Sequence, residues 1–113
     1  MKVRIYQIVP EEETLDILFC SLEETLEKGP IRSDCYECVY EGEFQTMDPE
    51  DIYVIFNTNL PSDYHGRSLS VSDIVEFERD GICTFFFCDS VGFWPVSFDR
   101  NAIRPTAECR KQK

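Results

Sequence analysis

Two strand-like segments, residues 74–78 and 82–88, are joined by Arg79-Asp80-Gly81, and this constrains the fold more than any other feature of the chain. Gly81 can take a positive φ without steric cost, so the segment predicts a β-hairpin. Ile82-Cys83-Thr84-Phe85-Phe86-Phe87-Cys88 offers apolar side chains to both faces, which predicts a central strand. Residues 93–98 add a third strand and complete a C-terminal three-stranded meander.

The remaining chain must cover that sheet. Val3, Ile5 and Val9 alternate with Arg4 and Tyr6 up to Pro10, the pattern of a first strand. Glu11-Glu12-Glu13 makes a solvated turn, and residues 15–19 fit either a short strand or the start of a helix. Ser21 can cap a helix over 22–28, with Glu24 reciprocating and Lys28-Gly29-Pro30 ending it. Residues 36–42 read as a strand. Asp48-Pro49-Glu50-Asp51 supplies a cap, a first-turn proline and acidic residues ahead of Ile52, Ile55 and Phe56 at helical spacing. That start signal predicts a helix despite the β-branched content, and residues 57–67 read as loop. The expected class is α+β: a small, mostly antiparallel sheet with the meander and two short helices.

At 113 residues the chain fits one domain, expected over residues 1–99, followed by a basic, flexible tail over 100–113. With 42% hydrophobic residues and nine Phe, it can order itself without metal or cross-links. Residues 1–99 hold 21 acidic and 6 basic side chains, whereas the tail holds one acidic and five basic. The body therefore repels nucleic acid. Solubility alone accounts for such a charge; the sharper alternative is carboxylates presented to a basic groove. The chain shows no secretory signal and no membrane-length apolar run, so a soluble, cytoplasmic protein is expected. In that setting Cys20, Cys35, Cys38, Cys83, Cys88 and Cys109 read as free thiols.

Residues able to carry chemistry are few. Cys35 and Cys38 have metal-ligand spacing, but a zinc site needs Cys83 with Cys88, or His65, as further ligands. Alternate strand residues point oppositely, which makes the second pair an awkward chelate, and no metal or cofactor is expected. His65 with Cys88 or a serine, oriented by Asp73 or Asp89, is the hydrolase reading. The chain has no glycine-rich phosphate loop. Ser68 to Val75 alternates three serines with apolar residues ahead of a strand. Ser70, Ser72 and Asp73 there suit local turn chemistry, with Asp73 as a structural cap.

Taken together, Phe56-Asn57, Leu60-Pro61-Ser62-Asp63-Tyr64, Gly66 through Val75, Cys88-Asp89-Ser90-Val91-Gly92-Phe93 and Val96 resemble the YodL-like domain family. Tyr6-Gln7-Ile8 and Val39-Tyr40-Glu41-Gly42 are similar to it as well, so the resemblance spans most of residues 3–98. It implies a domain of bacterial mobile and conjugative elements, with no established reaction, cofactor or catalytic residue. Arg67 stands where histidine is expected in many relatives, and the tail lies outside the resemblance.

That context implies a non-enzymatic protein acting by binding a protein partner. The concrete expectation is an acidic inhibitor of a host nucleic-acid-targeting defence, of anti-CRISPR or anti-restriction type. The partner-binding residues expected are Glu11, Glu12, Glu13, Glu23, Glu24, Glu41, Glu43, Asp48, Glu50, Asp51, Asp63, Tyr64 and Arg67. The alternative is an accessory module in conjugation or replication that touches nucleic acid through Arg100, Arg104, Arg110, Lys111 and Lys113.

Overall fold

A computed structural model describes residues 1–58, 60–62, 64 and 66–104. Its elements are β1 (Lys2–Ile8), α1 (Leu22–Glu27), β2 (Tyr36–Glu43), α2 (Pro49–Thr58), β3 (Ile74–Arg79), β4 (Ile82–Cys88) and β5 (Phe93–Val96). Short 3-10 turns occupy Glu12–Thr14, Ser33–Cys35 and Arg100–Ala102. The strands form one sheet in the order β2-β1-β3-β4-β5, antiparallel at every junction. The α+β class is thus as the sequence predicts, with two helices and the β3-β4-β5 meander in place. Among the described residues, no helix is long and apolar enough to cross a membrane.

The local signals act as read. Asp80 and Gly81 have φ of 54° and 81°, and Arg79 pairs with Ile82, which leaves a two-residue hairpin turn of the Asp-Gly kind. At α1, Glu24 N–H donates to Ser21 Oγ while Ser21 N–H donates to Glu24 Oε1, closing a reciprocal cap. Asp48 Oδ1 accepts from Glu50 N–H at 2.9 Å and starts α2.

Each face of the sheet carries its own core. Val3, Ile5, Val75 and Phe77 pack against Ile52 and Phe56 of α2 and against Leu69. On the opposite face Tyr6, Ile8, Ile74, Phe87 and Tyr36 meet Leu18, Leu22, Ile31 and Phe98. A bulge opposite Ile5 and Tyr6 makes Val39 an extra residue in β2. Val39 and Tyr40 consequently both pack toward the α2 side.

Three details differ from the sequence-based expectation. The central strand is β3; β4 lies one place from the edge, and only Phe87 and Cys88 of it are buried. The apolar run of β4 is explained by what lies against it: the Phe85 ring is 5.4 Å from Phe98, and Phe86 is 5.9 Å from Phe77. The third meander strand ends at Val96 rather than residue 98, because Phe98 turns onto the sheet, 4.9 Å from Tyr6 and 5.2 Å from Tyr36. Residues 15–19 are turns, neither strand nor helix, and end on Phe19 at a φ of 63°. Thr14 Oγ1, donating to Val9 O at 2.6 Å and accepting from Glu11 N–H, closes the chain back on the end of β1.

Residues 100–104 also lie on the sheet. Arg104 N–H donates to Tyr36 O at 2.8 Å, and Arg104 pairs with Glu11. The remainder of the basic stretch, residues 105–113, lies outside the described residues.

Candidate functional site

The motif between residues 60 and 75 folds against the end of β1, where Gln7 follows Val3 and Ile5 on the α2 face. Its amide holds the loop from both sides. Gln7 Oε1 accepts from Arg67 N–H at 3.0 Å. Gln7 Nε2 donates to Arg67 O (2.9 Å), Tyr64 Oη (3.1 Å) and Asp73 Oδ2 (3.0 Å). Tyr64 Oη in turn donates to Arg67 O. Arg67 reaches Ile8 O at 3.1 Å, with its guanidinium 5.6 Å above the Phe19 ring. Gly66 is required by this approach: a Cβ there would stand 2.6 Å from Tyr64 Oη and 2.8 Å from Gln7 Oε1.

Asp73 closes the loop. Its Oδ2 accepts from Ser70 N–H at 2.9 Å as well as from Gln7, which is the capping role that the sequence predicts. Ser72, at a φ of 82°, is held by Tyr36 Oη donating to its carbonyl and Phe19 N–H donating to its Oγ. Asp73 has no solvent exposure, and neither its Oδ1 nor Ser70 Oγ has a hydrogen-bond partner among the described residues. Burial pushes the Asp73 carboxyl up to about 7, against the pull of Ser70, Gln7 and Arg67. Burial, followed by the charge of Asp73, raises the Tyr64 phenol also. The network can take up or release a proton near neutrality, but in a sealed position.

A second polar network lies on the other face. Arg4 sits directly across from Glu76 of β3 and Glu41 of β2. It bonds Glu76 at 2.9 Å and Glu78 at 2.6 Å, and Tyr6 Oη donates to Glu76 at 2.6 Å. Arg100 approaches Glu78 at 3.4 Å and Glu76 at 3.8 Å. Burial opposes the charge on Arg4, but the bond to Glu78 and the charges of Glu76 and Glu41 outweigh it and raise the guanidinium's proton affinity. The bond from Arg4 holds Glu78 below the usual carboxylate range. Glu76, Glu78 and Cys83 offer atoms within 4.8 Å of one another, a spacing that suits a metal ion, yet Arg4 and Arg100 already neutralise those carboxylates.

The cysteines are dispersed. Cys20, Cys35, Cys38, Cys83 and Cys88 are free thiols, and the zinc set drawn from Cys35, Cys38, Cys83 and Cys88 is not among the metal-compatible groupings of the described residues. Cys88 is buried, and burial together with Asp73, Glu50 and Asp89 pushes its thiol up to about 12. That is the reverse of an activated nucleophile. Its suggested partner His65 lies outside the described residues.

The expected partner-binding carboxylates fall into three groups. Glu12 and Glu13 on the first 3-10 turn and Glu23 on α1 are exposed and enter none of the ion pairs described, while Glu11 pairs with Arg104 and Glu24 is engaged in its cap. Glu41 and Glu43 lie at the β2 edge, paired with Lys2, Arg4 and the Met1 amino group. Asp48, Glu50 and Asp51 form the start of α2, against the opposite face, where Thr46 Oγ1 donates to Asp51. Tyr64 and Arg67 belong to the loop network, and Asp63 lies outside the described residues. The sequence reading missed Gln7 and Glu76. A polar residue at an inward position of an alternating strand was the available signal for Gln7.

A comparison with protein families matches residues 2–98 to the YodL-like domain. No curated protein and no solved structure matches the chain.

Proposed function

The chain belongs to the YodL-like domain family, and from that premise we propose that it acts by binding a protein partner through its acidic surface. The partner is a basic, nucleic-acid-binding effector of a host defence system, of the kind that mobile-element inhibitors of anti-CRISPR or anti-restriction type occupy. The observation that carries the proposal is the exposed group Glu12, Glu13 and Glu23, left outside the ion pairs described while Glu41, Glu43 and Glu11 are neutralised within the fold. Exposed charge of one sign accelerates encounter with a surface of the other, and of the three Glu13 also acts on Arg104. Arg100 and Arg104, two cations of the alternative nucleic-acid reading, are bound to Glu78 and Glu11, which favours the acidic surface over the basic end.

The test is capture of partners from a nuclease-treated bacterial lysate at low and raised salt. The expected result is a nucleic-acid-binding effector retained at low salt and released at high salt, because such contacts are screened over about 8–10 Å near physiological ionic strength. The triple reversal Glu12→Lys/Glu13→Lys/Glu23→Lys should lose that capture with an unchanged thermal midpoint. Undiminished capture by the folded triple variant overturns the proposal.

A further inference from the structure

Beside α1 the structure leaves an open apolar groove of about 640 Å³. Leu22 and Leu26, one helical turn apart, form one wall with Ile31; Pro95, Val96 and Phe98 form the other. Leu26 is 52% exposed, so a large apolar side chain of the groove stands in water. Its volume lies in the range of binding clefts.

What fits it follows from its border. Glu23 and Glu27 follow Leu22 and Leu26 by one residue each, and both are exposed; Asp99 closes the far end. Of the nearby cations, Arg32 pairs with Asp34 at 3.5 Å, while Lys28 donates to the Asp16 carbonyl at 2.9 Å and keeps its charge. Glu23, Glu27 and Asp99 against Lys28 leave the rim net acidic. The β5 edge is unsuited to strand addition because Pro95 has no N–H to offer a new strand. An occupant must dock through side chains, as an amphipathic helix does when it lays apolar residues at i, i+3, i+4 and i+7 into a groove.

We propose that the groove between α1 and the β5 edge receives an amphipathic helix of the protein partner, with apolar anchors in the groove and Lys or Arg along the acidic rim. This rests on the acidic-surface reading above and places the partner's apolar contact. The two sources of affinity are separable: charge brings the helix to the rim, and burial of its anchors sets how long it stays.

The experiment uses the full chain and a fluorescein-labelled 18-residue peptide of Lys and Leu with leucines at i, i+3, i+4 and i+7, followed by anisotropy. A control peptide replaces every Leu with Ser. The Lys–Leu peptide should bind at least tenfold more tightly than the Lys–Ser control. Leu26→Ser, at a half-exposed position, should weaken it about tenfold without lowering the thermal midpoint. Glu23→Lys/Glu27→Lys should weaken both peptides and reduce their salt dependence. Amide shifts on titration should centre on Leu22, Leu26, Val96 and Phe98. Equal binding of both peptides, or no effect of Leu26→Ser, overturns the groove while leaving the acidic-surface reading to the lysate capture. Binding of neither peptide overturns the groove as well, and unaltered lysate capture by the triple charge reversal is what overturns the reading beneath it.

Discussion

Asp73 and Glu76 lie three residues apart, neither is exposed to solvent, and the fold compensates them in opposite ways. Glu76 is given cations, Arg4 directly across the ladder and Arg100 behind it, together with the neutral Tyr6 hydroxyl. Asp73 is given mainly neutral donors, the Ser70 N–H and the Gln7 amide, with no partner for Oδ1 among the described residues. At Asp73 burial outweighs the Ser70 and Gln7 donors and raises the carboxyl to about 7. The first arrangement fixes the β1–β3 register at one end of the sheet. The second closes the loop at the other end on that buried carboxyl, whose pKa burial raises.

The largest effect should come from removing the charge that Glu76 depends on. Arg4→Met leaves a buried carboxylate with the Tyr6 hydroxyl and, as its remaining cation, Arg100 at 3.8 Å, and breaking such a pair costs about 3–5 kcal/mol. Urea unfolding should show this loss, and Arg4→Met/Glu76→Met should recover most of it, because an apolar pair replaces an ion pair at little cost. If Arg4→Met costs less than Asp73→Ala, the two networks have been ranked in the wrong order.

Next in size is the pH dependence of Asp73. Its folded pKa is raised to about 7, so the folded chain holds the proton more tightly than the unfolded one. Its contribution is complete below the unfolded value of 3.8 and is lost as pH rises through about 7. Between pH 5 and 8 this amounts to about 2–3 kcal/mol. The arginine-bonded Glu78 has the opposite sign, since its contribution is lost as pH falls below its ordinary range, outside that window. Urea midpoints should therefore fall from pH 5 to pH 8. Asp73→Asn, with its carbonyl in place of Oδ2, should flatten the slope; a slope that persists in the variant assigns the effect to another group. Gly66→Ala bears on the same network by crowding Tyr64 and Gln7, and should cost about 1–2 kcal/mol.

Local chemistry was legible in the sequence. The Asp80-Gly81 turn, the Ser21–Glu24 cap and the Asp48-Pro49 start each depend on residues a few positions apart, and each forms as read. The sheet order was not, because Glu76 and Glu78 made β3 look solvated on one face, while the apolar β4 looked central. A period of two cannot tell a carboxylate in water from one facing Arg4 across 72 residues of chain. Gln7 was hidden for the same reason, its partners lying at Tyr64, Arg67 and Asp73. The groove joins residues 22–31 to residues 95–99, and no local pattern announces it.

A third carboxylate sharpens the comparison at its weak end. Glu24, like Asp73, accepts from the backbone N–H of a serine, here Ser21 at 3.0 Å, but it does so in water. With little burial to oppose it, the backbone bond dominates and lowers the Glu24 pKa, whereas the same kind of bond at Asp73 is overcome by desolvation. Ser21→Ala removes the hydroxyl that accepts from Glu24 N–H, and should cost about 1 kcal/mol, the ordinary worth of a serine cap. Glu24→Gln should cost less, and only above the folded pKa of Glu24, because its contribution is lost as pH falls. A Ser21→Ala effect as large as that of Asp73→Ala would mean that the backbone bonds rather than burial set the energetics of both carboxylates, and the contrast between the two ends of the sheet would fail.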